Sequence, residues 1–263
     1  MKLVIDESIG ITKEAADERY GPEAAVIKDT RVSSKKDQHL TDYLKETEPG
    51  FLRKGVKTIP YSLQEEVAWF QSVSEEGGPV VYFYDEQYTA SDVILRVRNW
   101  LLPETSLHPV PVGSLSGAAE VLFLIEELLK HKDGLTDYEN LSHFTDERQT
   151  GSTVWVITTP KAKPLLEKKK RFSIYKKKEI TEYSLIKVHG QTVKTALKGP
   201  LDKLVEAVLK EGENWLVIRK GLDQELDLQG KGEEVTLSEQ TLPVNIPYIQ
   251  FVQTAPAKVL TYT

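Results

Sequence analysis

Three short polar stretches of the sequence stand where free backbone N–H groups can receive an anion. They are Asp6-Glu7-Ser8, Asp85-Glu86-Gln87-Tyr88-Thr89 and the run containing Gly113, Ser114 and Ser116. Each follows a β-type apolar segment and stands just before or near a helix start. The first backbone N–H groups of a helix have no partner within it and can bind a carboxylate or a phosphate. The same residue types are also the preferred caps and turn formers, and for any one loop that structural use is the commoner. Every α/β protein has such loops, so three of them add only modest weight.

More specific catalytic patterns are scarce. Gly113-Ser114-Leu115-Ser116-Gly117 differs from a nucleophile elbow, which needs Ser at the middle of the five where this chain has Leu115. No phosphate loop ending in Gly-Lys-Ser/Thr and no dinucleotide Gly-x-Gly-x-x-Gly is present. The five histidines, His39, His108, His131, His143 and His189, lack metal-ligand spacing and most fall in polar contexts that suggest exposure. There is no cysteine, which removes disulfides, thiolate nucleophiles and iron–sulfur ligation together. The basic cluster Lys168, Lys169, Lys170, Arg171, Lys176, Lys177, Lys178 could meet an acidic partner or the surface of a membrane. More often such a run keeps a strand edge solvated and unpaired.

The elements that must position these loops alternate between strand and helix. Strands are expected at Lys2–Ile5, Ala24–Ile27, Pro79–Tyr84, Leu107–Val112 and Thr153–Thr158, all rich in Val, Ile and Tyr. Helical spacing appears in Leu63, Val67, Phe70 and Val73 behind Ser62, and in Val93, Ile94, Val97 and Leu101 with Ser91 as the cap. It recurs in Ala119, Leu122, Phe123, Glu126 and Leu129, and over Thr136–Glu147. Helical crossovers of this length join parallel strands. After Thr159 a Pro-broken basic stretch leads to β-type residues over Glu179–His189. A strong helix follows through Leu201, Leu204, Val205, Val208 and Leu209, then a strand at Trp215–Ile218 and a polar loop at Leu226–Gly232. Strands at Tyr248–Val252 and Lys258–Tyr262 close the pattern. The fold class expected is α/β in two domains. Residues 1–158 form a parallel-sheet α/β/α domain, and residues 159–263 an α+β domain with a mixed sheet and a cleft between the two.

The chain has 263 residues, 40% of them hydrophobic, which fills one large core or two modest ones. No run approaches the roughly 20 apolar residues of a membrane-spanning helix, and Met1–Thr12 lacks a basic segment followed by an apolar one. A soluble, cytoplasmic protein is expected. The net charge of −6 argues against general nucleic-acid binding, which depends on a basic surface.

Six segments, in order from first strand to last, give the chain a resemblance to a known family. Val4-Ile5-Asp6-Glu7-Ser8-Ile9-Gly10-Ile11-Thr12 is similar to the DegV start, a strand followed by Thr-Asp-Ser-Thr-Ala-Asp-Leu-Pro, and keeps Asp6. Lys57-Thr58-Ile59-Pro60-Tyr61-Ser62 stands where DegV proteins have Thr-Ser-Gln-Pro-Ser, and keeps Thr58 and Pro60. Gln87-Tyr88-Thr89-Ala90-Ser91 occupies the place of Leu-Ser-Gly-Thr without a residue retained in register. Val112-Gly113-Ser114 keeps the Ser of a strand ending in Asp-Ser. Lys170-Arg171-Phe172-Ser173-Ile174 with Lys187-Val188-His189 resembles the family's Ile-Lys-Pro-Ile-Leu and Lys-Val-Arg strands, although the Gly-Gly-Arg-Ile hairpin before them is missing. Val252-Gln253-Thr254-Ala255-Pro256-Ala257 parallels His-Thr-Gly-Pro-Gly, keeping Thr254 and Pro256, with Gln253 in place of His.

The resemblance implies a two-domain DegV-like fold and a long-chain fatty acid as ligand, lying in a tunnel between the domains. Its carboxylate would be presented to a separate fatty acid kinase catalytic subunit, so the protein itself would be a binding subunit and not an enzyme, with no cofactor. A buried carboxylate requires polar partners, and the resemblance puts them at Thr58, Ser114, Gln253 and Thr254, with Thr89 or Ser91 standing in for the lost serine signature. Two other classes stay open: a paralogue without fatty-acid binding that acts through protein contacts, and a phosphoryl-transfer component using His189.

Overall fold

The computed structural model describes residues 1–33, 38–46, 56–74, 78–102, 105–135, 137–159, 182–189, 192–237 and 246–253. Its first sheet is four-stranded and parallel, formed by β1 (Lys2–Asp6), β2 (Ala25–Lys28), β5 (Val80–Asp85) and β6 (Leu107–Val112) in the order β2-β1-β5-β6. All six residues of β5 are buried, as expected of a parallel strand covered on both faces. Alternate side chains divide between two cores. Val4, Val80, Tyr82 and Tyr84 face α3 (Leu63–Val73) and α4 (Ser91–Leu101), while Leu3, Ile5, Val81 and Phe83 face α5 (Gly117–His131).

The helix starts follow local chemistry. Ser62 and Glu65 form a reciprocal capping box at α3. The cap of α4 is Ala90, which contributes no side-chain bond, and Ser91 is the first helical residue, not the cap. The helix expected over Thr136–Glu147 is α6 (Tyr138–Gly151), capped by Asp137, which accepts from Asn140 N at 2.9 Å; Thr136 lies outside the described residues. An earlier helix, α1 (Lys13–Tyr20), carries too few apolar residues to show a period, and its start is fixed by Thr12 accepting from Ala15 N. A small hairpin of β3 (Arg31–Val32) and β4 (Gln38–His39), followed by α2 (Leu40–Glu46), flanks the first sheet.

The second sheet is mixed and six-stranded. It is built from β7 (Val154–Thr158), β8 (Tyr183–His189), β9 (Thr192–Gly199), β10 (Trp215–Lys220), β11 (Gly232–Leu237) and β12 (Tyr248–Gln253) in the order β11-β10-β12-β7-β8-β9. Strand β7 was expected in the parallel sheet. It pairs antiparallel with β12 and β8 instead, because the strands that complement its register come from later in the chain. Strands β9 and β11 were not anticipated; β9 is exposed along almost its whole length and has no buried face to give it an alternating pattern. The expected strand Lys258–Tyr262 and the basic cluster 168–178 lie outside the described residues.

Helix α5 joins the two layers. Its buried residues run around most of its circumference, as in a helix covered on opposite sides. It packs with Val81, Phe83 and Val112 of the first sheet and with Leu216, Ile218 and Val252 of the second in one continuous core. The far face of the second sheet is covered by α7 (Leu201–Leu209), through Leu204, Val205 and Val208 against Ile157, Val217 and Phe251. No helix among the described residues is long and apolar enough to cross a membrane.

Candidate functional site

In the first sheet β1 is followed by β2 on one side, while β5 and β6 lie on the other, so the direction of winding reverses between β1 and β5. Ligands of open α/β sheets bind beyond the strand ends at such a point. A shallow cleft with an enclosed volume of about 30 Å³ lies there, reaching Asp6 at the end of β1, Lys28 at the end of β2, the segment Thr58–Tyr61, Thr89 and the start of α4. That enclosed space is far below the roughly 300–1,000 Å³ of small-molecule sites, so a ligand larger than a water or two requires the lining to open. Ile59, Val93 and Ile94 form its apolar wall.

Asp6 organises the floor. Its Oδ1 accepts from Ser8 N at 2.9 Å and Thr30 Oγ1 at 2.7 Å. Its Oδ2 accepts from the buried Tyr82 hydroxyl and from Thr89 Oγ1 at 3.3 Å. Neighbouring Glu7 accepts from Thr30 N at 2.9 Å and Thr41 N at 3.0 Å, and burial raises its pKa. Beside them the buried Lys28 ammonium sits 3.2 Å from Glu66 Oε1, 4.5 Å from the centre of the Tyr61 ring and 5.6 Å from that of Trp69. Tyr61 donates to Asp29 Oδ2 at 2.8 Å, and the same carboxylate oxygen lies 2.7 Å from His39 Nδ1. The Arg31 guanidinium stacks over Tyr61 at 4.0 Å and pairs with Glu65 at 2.8 Å.

The structure brings Thr58 and Thr89 to this cleft and separates them from the other expected site residues. Thr58 Oγ1 donates to Tyr88 O at 2.7 Å. Ser91 accepts from Tyr84 OH at 3.1 Å. Ser114 belongs to an adjoining cluster, where its Oγ lies 2.8 Å from both Asp85 Oδ1 and Gln87 Oε1. Asp85 is buried there, which lifts its pKa to about 6 against the lowering effect of Ser114 and the Gln87 amide. Gln253 is exposed at the far end of β12, where its amide lies against Gly212 and donates to Glu213 O at 3.3 Å. Thr254 lies outside the described residues. His189 is exposed at the end of β8, with Nδ1 2.8 Å from Ser152 O.

Sequence reading missed Lys28, Glu66 and Tyr61. For Glu66 a signal was present, since it falls between Leu63 and Phe70 on the apolar face of α3, where a carboxylate needs a partner. His108 also departs from the exposed character expected of the histidines. It is buried, with Nε2 2.7 Å from Thr145 Oγ1. Among the described residues no group of His, Asp and Glu is arranged to hold a metal ion.

No family model and no curated protein matches the sequence. Solved structures do match over nearly the whole chain. One is DegV from Bacillus subtilis, described as a fatty acid binding protein, at 10% identity and a TM-score of 0.60, with 96% of this chain and 98% of that one covered. A stearic acid-binding protein from Eubacterium ventriosum matches at 13% identity and a TM-score of 0.59, with coverage of 96% and 98%. A DegV family protein from Ruminococcus gnavus, solved with vaccenic acid, matches at 12% identity and a TM-score of 0.62, with coverage of 95% and 98%. The likeness fixes the fold: this chain is built on the architecture that those proteins share.

Proposed function

We propose that this chain, carrying the fold of the DegV fatty-acid-binding proteins, binds a long-chain fatty acid with its carboxyl end in the cleft between β1 and β5. The observation that carries the reading is the position of Thr58 and Thr89. In a chain that aligns end to end with fatty-acid-binding structures, two hydroxyls reach the switch-point cleft, beside an apolar wall of Ile59, Val93 and Ile94. A few polar groups at the head and apolar contact along the chain are what a lipid site needs. The reading includes two domains divided before β7, since that strand belongs to the second sheet, a cytoplasmic setting and a role as a binding subunit. In that role it presents the carboxyl group to a separate kinase and performs no catalysis itself.

Displacement of an environment-sensitive fluorescent fatty acid by palmitate tests the binding. Thr58→Val is expected to weaken it several-fold, equivalent to about 1 kcal/mol for one neutral hydrogen bond. Gln253→His should leave it unchanged, because Gln253 sits against Gly212 and not in the cleft. A probe that never binds would reject the reading. A second reading, a paralogue that acts through protein contacts, is favoured by one feature: the Thr58 and Thr89 hydroxyls are already engaged with Tyr88 O and Asp6. Mass spectrometry of small molecules released from the denatured protein separates the two, since an empty extract favours the paralogue.

A further inference from the structure

Within that cleft the distribution of charge is unusual for a receptor of anions. Its lining holds three carboxylates, Asp6, Asp29 and Glu66, against two cations, Lys28 and Arg31. Arg31 is engaged by Glu65 at the surface, and Lys28 by Glu66. An ionised fatty acid would therefore add a fourth negative charge to a wall whose positive groups already have partners. One buried acceptor, by contrast, is left over. Glu66 Oε1 meets Lys28, but Oε2 is shielded from solvent and has no hydrogen-bond partner. A buried carboxylate oxygen in that state lacks a donor, which is unfavourable until a ligand supplies one.

We propose that the cleft takes an acyl ligand whose head is neutral and carries a hydrogen-bond donor, with Glu66 Oε2 accepting from the head and Lys28 Nζ donating to it. For a fatty acid this means binding as the un-ionised acid. Its O–H is given to Glu66 and its C=O receives the ammonium, so that two carboxyl groups share one proton. A primary acyl amide offers the same donor and acceptor without any titration. The ligand enters by moving the Tyr61 ring, which covers Lys28 and is tethered through its hydroxyl to Asp29.

The surroundings of Glu66 agree with this. Facing it are Lys28 and Asp29 at the end of β2, Asp6 from β1 and the Tyr82 hydroxyl from β5. Burial raises its pKa, Lys28 opposes the rise, and Asp6 and Asp29 add to it. Two carboxyl groups brought together in such a place favour holding one proton between them. The proposal rests on the fatty-acid reading above, and it departs from a simple carboxylate receptor in the pH dependence it requires.

The test is the affinity of the intact protein for lauric acid and for lauramide, measured between pH 6 and pH 8. Uptake of one proton per complex weakens lauric acid binding by about tenfold per pH unit, or about a hundredfold over the range. Lauramide binding should stay flat and exceed that of the acid at pH 8. Glu66→Gln removes the shared proton, so lauric acid should bind it with little pH dependence and more tightly than wild type at pH 8. A wild-type far-ultraviolet circular dichroism spectrum and a single thermal transition in that variant report that it is folded. Lauric acid binding equally well at pH 6 and 8, with lauramide excluded, overturns this inference and leaves the fatty-acid reading standing. A wild-type pH slope retained in Glu66→Gln also overturns it. If neither compound binds at either pH, both readings fall.

Discussion

At the scale of single residues, Asp6 is the most heavily used side chain of the cleft. It is buried and accepts from Ser8 N, Thr30, Tyr82 and Thr89. Asp6→Ala would leave buried hydroxyls of Tyr82 and Thr30 without their acceptor, and each such loss costs about 1–3 kcal/mol. We expect a destabilisation of roughly 3 kcal/mol by urea denaturation, and a change below 0.5 kcal/mol would contradict the role given to it. Asp85 offers a second check. Its pKa near 6 is set first by burial and is lowered by the Ser114 hydroxyl, so Ser114→Ala should move the Asp85 titration upward in an NMR experiment. Asp6 and Thr58 were legible because they stand in segments of family-like sequence, whereas Ser114, read from the same resemblance, falls in the adjoining Asp85 cluster. Lys28 was not, since a lysine at a strand end looks like any exposed terminus until Glu66 and the Tyr61 ring are seen around it.

At the scale of elements, the packing of α6 on β6 depends on a buried imidazole. His108 is held against Thr145, and burial, then the Arg98 charge, lowers its pKa from 6.5 to about 4. The folded protein therefore binds this proton less readily than the unfolded chain. The stability that His108 contributes is complete above pH 6.5 and is lost as pH falls towards 4, a change on the order of 3 kcal/mol. His108→Gln should flatten this part of the stability profile between pH 6.5 and 4, measured by denaturation at each pH. An unchanged acid slope would place the loss elsewhere. Among the elements, α3, α4, α5 and the four parallel strands could be read from apolar period and capping residues. Strands β9 and β11 could not, because β9 buries no face and β11 has few fully buried side chains. The sheet to which β7 belongs is decided by β12 and β8, partners that no local pattern in Val154–Thr158 names.

At the scale of the whole molecule, the two sheets are not independent bodies. The core runs unbroken through α5, and Gln250 of β12 fastens the start of that helix. Its Oε1 accepts from Ala119 N at 2.8 Å and its Nε2 donates to Leu115 O at 2.6 Å. A fully buried amide so matched fixes the second layer to the first in one position. We expect a single cooperative thermal transition, seen alike by tryptophan fluorescence and far-ultraviolet circular dichroism. Gln250→Leu should lower its midpoint, with a loss of roughly 2–4 kcal/mol for the two backbone groups left unmatched. Two separate transitions, only one of them shifted, would show that α5 does not couple the layers.

The place of β12 in the second sheet also bears on how the chain is made. It lies between β10 and β7, and it is the last of the described strands to be synthesised. A nascent chain emerging from the ribosome can form β7 with β8 and β9, and β10 with β11, before the strand that joins them exists. Until residue 253 has emerged, β7 and β10 each present an open edge of unpaired backbone groups, rich in Val, Ile and Trp. During that interval the molecule is most open to mispairing with another chain, and most dependent on whatever shelters an unfinished sheet.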